Sequence, residues 1–121
     1  MEKISILNVS SDAALLATRS ALLTKAGYRV VSTGNWNEFE EACHTQRFDL
    51  VILGQGIPPS IKTDMAEVAL RELPDTKLAE LYLFSPVLTN GKYSYRVSAQ
   101  LEPEEFLTFV HDVMHNSRVM R

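Results

Sequence analysis

A single cysteine, Cys43, in 121 residues excludes any disulfide within the chain and fits a reducing compartment. Charge of one sign is not in excess either. Twelve Lys and Arg stand against fifteen Asp and Glu, for a formal net charge of −3, which leaves no electrostatic footprint for nucleic acid or an anionic membrane. Long apolar runs are missing. The opening MEKISILNVSSD turns polar too early for a secretory signal, and no later segment approaches a membrane span. There is no repeat, low-complexity tract or linker. What remains is an ordinary globular composition, 45% hydrophobic and 22% charged. The length suits one domain over 1–121 with a core of its own, and the expectation is that this domain is cytoplasmic.

Patterning along the chain alternates. KISILNV (3–9) reads as a strand; Ser10 or Ser11 can cap a helix over about 12–26 with Leu15, Leu16, Leu22, Leu23 and Ala26 on one face and Gly27 as its stop. Tyr28–Thr33 is strand-like. Asn35 with Glu38 makes a capping-box-like start to a helix carrying Trp36, Phe39, Ala42 and Cys43 at helical spacing. Asp49–Leu53 is a third strand with every apolar residue buried. A third helix is predicted over about 61–73 with Ile61, Met65, Val68, Ala69 and Leu73 inward. Leu78–Phe84 and Tyr95–Ala99 complete the strands, and Pro103, Glu104 and Glu105 open a last helix on Phe106, Leu107, Val110, Val113 and Met114. Strands alternating with helices imply a parallel, doubly wound α/β sheet covered on both faces. One connection is short. Pro86–Ser94 is nine residues with an Asn90-Gly91 turn signal, too few for a helix and its two loops. Either Val87 and Leu88 fold back over the exposed sheet, or another chain covers it. The fifth strand is then reached by an irregular loop or only loosely paired.

In open α/β sheets chemistry gathers at the carboxyl ends of the strands. In FDLVILGQGIPPS (48–60) that place holds glycine, glutamine and glycine, with no acid, base or nucleophile. Gly54-Gln55-Gly56 is not a dinucleotide fingerprint, because the third glycine and the immediate helix are absent. His111 and His115 stand at i, i+4, but no third metal ligand accompanies them, and they suit the solvated side of the last helix.

The order and spacing of these units, with DLVIL leading to a turn at Ile57-Pro58, resemble the response-regulator receiver domain of two-component signalling. AGYRVVSTGNWNEFEEA (26–42) resembles its second unit, and LEPEEFL (101–107) the start of its last helix. The resemblance spans essentially the whole chain and implies a flavodoxin-like, five-stranded fold with the fourth helix shortened or missing. It also implies what is lost. The acid pair that holds Mg²⁺ in such domains falls on Ser10 and Ser11, and the phosphoacceptor aspartate on Gly54. The lysine before the last helix falls on Ala99 and its neighbouring proline on Gln100, while the hydroxyl residue ending the fourth strand is kept as Ser85.

Phosphoryl transfer to a carboxylate needs that carboxylate, a divalent cation and a positive group for the developing charge. Two serines and a glycine supply neither nucleophile nor metal cage, and Asp12 is better placed to cap the first helix. The expected function is phosphorylation-independent recognition of a protein partner, or self-association, within a signalling pathway. No enzyme activity, cofactor, metal, nucleic acid or membrane is expected. Tyr82, Tyr93, Tyr95 and Arg96 are the aromatic-plus-arginine mixture of interfaces, though such residues also frame ordinary edge strands. Two alternatives stay open: a small-molecule or nucleotide sensor using the vestigial pocket, where Ser10, Ser11, Ser85 and the Gly54 amide can cradle an anion, and an active receiver using a displaced acid.

Overall fold

The computed structural model describes residues 3–88 and 94–115. Five strands, β1 (Ser5–Val9), β2 (Arg29–Thr33), β3 (Leu50–Leu53), β4 (Lys77–Tyr82) and β5 (Ser94–Ser98), form one sheet of order β2-β1-β3-β4-β5, parallel throughout. Between and after them run α1 (Ala13–Lys25), α2 (Trp36–Thr45), α3 (Pro59–Glu72) and α4 (Pro103–His115). This is the expected doubly wound arrangement. Side chains alternate across the sheet: Leu7, Val9, Val51, Leu53 and Leu78 pack with α2 and α3. Ile6, Leu50, Ile52, Ala79 and Leu81 pack under α1 and α4. All four residues of β3 are fully buried, as a central strand covered on both faces requires.

Local chemistry sets the helix ends. Asp12 caps α1, its Oδ1 accepting from the Ala14 and Leu15 amides at 3.0 and 3.1 Å, and Gly27 closes that helix at φ 104°, a conformation that needs no Cβ. Asn35 Oδ1 accepts the Glu38 amide at 2.9 Å, while Glu38 Oε1 reaches back to the Gly34 amide at 2.9 Å. α3 starts two residues earlier than predicted, because Pro59 at its first position has no N–H to leave unpaired. It is also turned differently: Ile61 is 40% exposed and Lys62 is buried in its stead.

The predicted fourth strand runs too long. β4 ends at Tyr82; beyond it Leu83 is 46% and Phe84 94% exposed. No helix occurs among the described residues between β4 and β5. A buried ion pair organises that region. Lys62 Nζ, on α3, donates to Glu80 Oε2 at 3.0 Å and to the Leu81 carbonyl at 3.1 Å. Glu80 also accepts the Val87 amide on Oε2 and the Leu88 amide on Oε1, each at 2.8 Å. From β5, in register with Glu80, Arg96 donates through Nε and Nη2 to the Leu88 carbonyl at 3.2 and 2.8 Å. Leu88 thereby enters the core on the α2/α3 side, with Val87 packed against it. Val87 and Leu88 thus fold back over the sheet, and β5 pairs with β4 along its whole length, Leu78↔Ser94 to Tyr82↔Ser98.

Candidate functional site

The carboxyl ends of β1 and β3 lie side by side and bring Ser10 and Gly54 together. The Gly54 amide donates to the Val9 carbonyl at 2.9 Å, and a Cβ added to Gly54 would lie 3.4 Å from the Ser10 Cβ. Ser10 is buried, and its hydroxyl accepts the Asp12 amide at 3.1 Å. Ser11 is exposed. Ser85 is a correction: it is exposed, three residues past the last residue of β4, and does not close that strand. Ala99 follows β5, its amide donating to the Tyr82 carbonyl at 2.7 Å.

A residue not singled out from the sequence fills this place. Arg19 of α1 is 8% exposed, and its Nη1 lies 3.4 Å from where a Cβ on Gly54 would be. Its Nη2 donates to Gln55 Oε1 at 2.9 Å, its guanidinium carbon stands 6.0 Å from the Phe106 ring centroid, and Nη1 has no partner. Among the described residues no carboxylate comes within salt-bridge distance of Arg19. Burial pulls its pKa below the ordinary guanidinium range, and Asp12 acts in the opposite sense; a guanidinium nevertheless keeps its charge. The signal was in the spacing, since Arg19 is four residues from both Leu15 and Leu23, within the apolar face of the helix.

This arrangement offers no nucleophile at the end of β3. Nor does it fit Mg²⁺, which wants charged oxygen ligands. Ser10, Ser11 and Gly54 carry no charge, Asp12 is engaged as a cap, and the Arg19 guanidinium repels a cation. Among the described residues no three His, Cys, Asp or Glu gather into a metal site, and His111 and His115 lie exposed on α4 with ring centroids 4.4 Å apart.

Beside Arg19, between α1 and α4, is a cavity of about 130 Å³ lined chiefly by apolar side chains, with Ala99 and Phe106 among them. A larger cleft, about 680 Å³, opens at the opposite end of the sheet, where Asp49 already accepts the Ser5 amide at 2.8 Å. The residues proposed as a partner surface are scattered in role. Tyr82 is half-buried, Tyr95 packs against the α1/α4 core, Arg96 holds the Leu88 carbonyl, and Tyr93 lies outside the described residues. No helix in the described residues is long and apolar enough to cross a membrane.

No protein-family model and no curated protein matches the sequence. Solved structures do. A response regulator receiver domain protein from Methanospirillum hungatei matches with a TM-score of 0.80 at 16% identity over 98% of each chain. A response regulator receiver protein from Sinorhizobium medicae gives 0.80 at 20% identity, over 97% of this chain and 98% of that one. A response regulator protein from Burkholderia pseudomallei, solved with a phosphorylated aspartic acid and a calcium ion, gives 0.70 at 13% identity, over 97% of this chain and 72% of that one. With its strand order, its registers and these likenesses, the chain has the fold of a response-regulator receiver domain.

Proposed function

We propose that this chain is a receiver-like domain that accepts no phosphoryl group and acts in signal transduction by recognising proteins through its surface. One observation carries the reading: at the end of β3, where the resemblance to receiver domains places the phosphoacceptor carboxylate, stands Gly54 with the Arg19 guanidinium against it. A cation in that position disfavours the metal that phosphoryl transfer requires. The exposed pair Leu83 and Phe84, at the carboxyl end of β4, supports recognition through that end of the sheet.

The test is intact mass after incubation with acetyl phosphate and Mg²⁺, paired with sedimentation and partner capture in the same conditions. The mass is expected to stay unchanged, and oligomeric state and capture to be indifferent to the phosphodonor. A stoichiometric, hydroxylamine-labile gain would overturn the reading. Gly54→Asp is expected to gain no phosphoryl group either, because its carboxylate would pair with Arg19 and still lack a metal. Phe84→Asp should fold normally and lose capture or self-association; if neither changes, recognition lies elsewhere on the surface.

A further inference from the structure

A buried guanidinium without a carboxylate is an incomplete arrangement. Burying a charge is costly unless it is paired and hydrogen-bonded, and Arg19 has one neutral partner, Gln55, and an unpartnered Nη1. Beside it lies the cavity of about 130 Å³ between α1 and α4, walled by Leu15, Leu22, Leu81, Ala99, Leu101 and Phe106. A long side chain at position 99 would take up some of this space; alanine leaves it open. An apolar cavity of about 150 Å³ is known to admit one aromatic ring, so the volume suits a ring or a short aliphatic group. We propose that this cavity binds a small organic carboxylate, its apolar part among these side chains and its charge on Arg19. This goes beyond surface recognition of proteins and does not depend on it.

The geometry also says what binding must move. Arg19 itself lines the cavity, but its Nη1 is closed off from solvent, so a ligand oxygen reaches that nitrogen only if the guanidinium turns. Turning releases Gln55, which sits in the turn between β3 and α3. Occupancy is thereby coupled to a loop at the carboxyl end of the sheet, without covalent chemistry.

Benzoate, benzamide and inorganic phosphate, titrated separately into the ¹⁵N-labelled chain, test the proposal. Benzoate is expected to shift the amides of Ala99, Leu101 and Phe106 and the side-chain amide of Gln55 in a saturable way. Benzamide has the same ring without the charge and should bind at least about tenfold more weakly, since charge-assisted hydrogen bonds are roughly twice as strong as neutral ones. Phosphate alone should be weaker still, having nothing to place in the cavity. Arg19→Gln should abolish the difference between benzoate and benzamide. Ala99→Met, which fills the cavity while leaving Arg19 in place, should abolish binding with the folded spectrum retained, and keeps the test decisive if Arg19→Gln fails to fold. Equal affinity for benzamide, equal affinity for phosphate, binding that survives Ala99→Met, or no saturable shift at tens of millimolar benzoate would each overturn the proposal.

Discussion

Replacing Glu80 with leucine strips the region between β4 and β5 of its organising group. The carboxylate takes three hydrogen bonds, from Lys62 Nζ at 3.0 Å and from the Val87 and Leu88 amides at 2.8 Å each. Its side chain is fully buried and that of Lys62 is 2% exposed. Without Glu80 the Lys62 ammonium keeps only the Leu81 carbonyl, and two amides lose their acceptor. Breaking a buried pair from one side costs about 3–5 kcal/mol, a large share of the roughly 5–15 kcal/mol that a domain has in all. At about 2.1 cal/mol/K per residue, the unfolding entropy of the 121-residue chain converts this to a fall in Tm of roughly 12–20 °C.

Lys62→Met should cost less, because the carboxylate it orphans still holds both amides. In Glu80→Leu/Lys62→Met neither charge of the pair remains, so the double variant should be more stable than Glu80→Leu alone. Urea unfolding followed by the fluorescence of Trp36, the single tryptophan, gives all three midpoints. Amide exchange at Val87 and Leu88 reports whether the link has come away. A Glu80→Leu loss below about 0.5 kcal/mol, the size of a surface substitution, would refute the reasoning. So would single effects that simply add in the double variant, for then the two side chains are not coupled.

Ile52→Ala, in a strand residue with no exposed surface, should cost roughly 2–5 kcal/mol in the same urea assay; a loss at surface level would contradict a doubly covered β3. Cys43 is buried, and burial, with Glu72 and Glu40 adding to it, pushes its thiol up to about 11. It should therefore resist aromatic disulfide reagents in the folded protein and react at once in urea. Because the folded thiol holds its proton more tightly than the unfolded one, its contribution is complete below the ordinary thiol range and is lost as pH rises toward 11. Cys43→Ala should flatten that alkaline decline, and an unchanged slope would show that another group causes it.

The parts of the fold that follow from apolar spacing were legible in the sequence: four buried residues in β3, the Asn35 cap, the face of α4 on Phe106, Val110 and Val113, and a link too short for a helix. The parts that depend on charged side chains turned inward were not. Lys62 lies three residues before Met65 and four before Ala66, on the apolar stripe of α3, yet hydropathy assigns that place to Ile61 next to it. Glu80 breaks an apolar run on β4, which pattern alone reads as a solvent-facing interruption; Arg19 stands at apolar-face spacing on α1, which places it inward without showing what meets its charge. Each is accounted for only by a partner distant in sequence, which periodicity does not encode: Glu80 for Lys62, the Val87 and Leu88 amides for Glu80, Gln55 for Arg19. The same side chains stand where the receiver pattern is broken. Where no helix occurs among the described residues between β4 and β5, Glu80 and Arg96 pin Leu88 into the core. Where the resemblance implies a lysine after β5, Ala99 lines a cavity, and the cation at that cavity is Arg19 of α1. A charge delivered from α1 lies across the end of β3 rather than beside an acceptor, so it stabilises the glycine-bearing turn through Gln55. The fold is kept by internal charges whose positions oppose the chemistry the pattern would otherwise suggest.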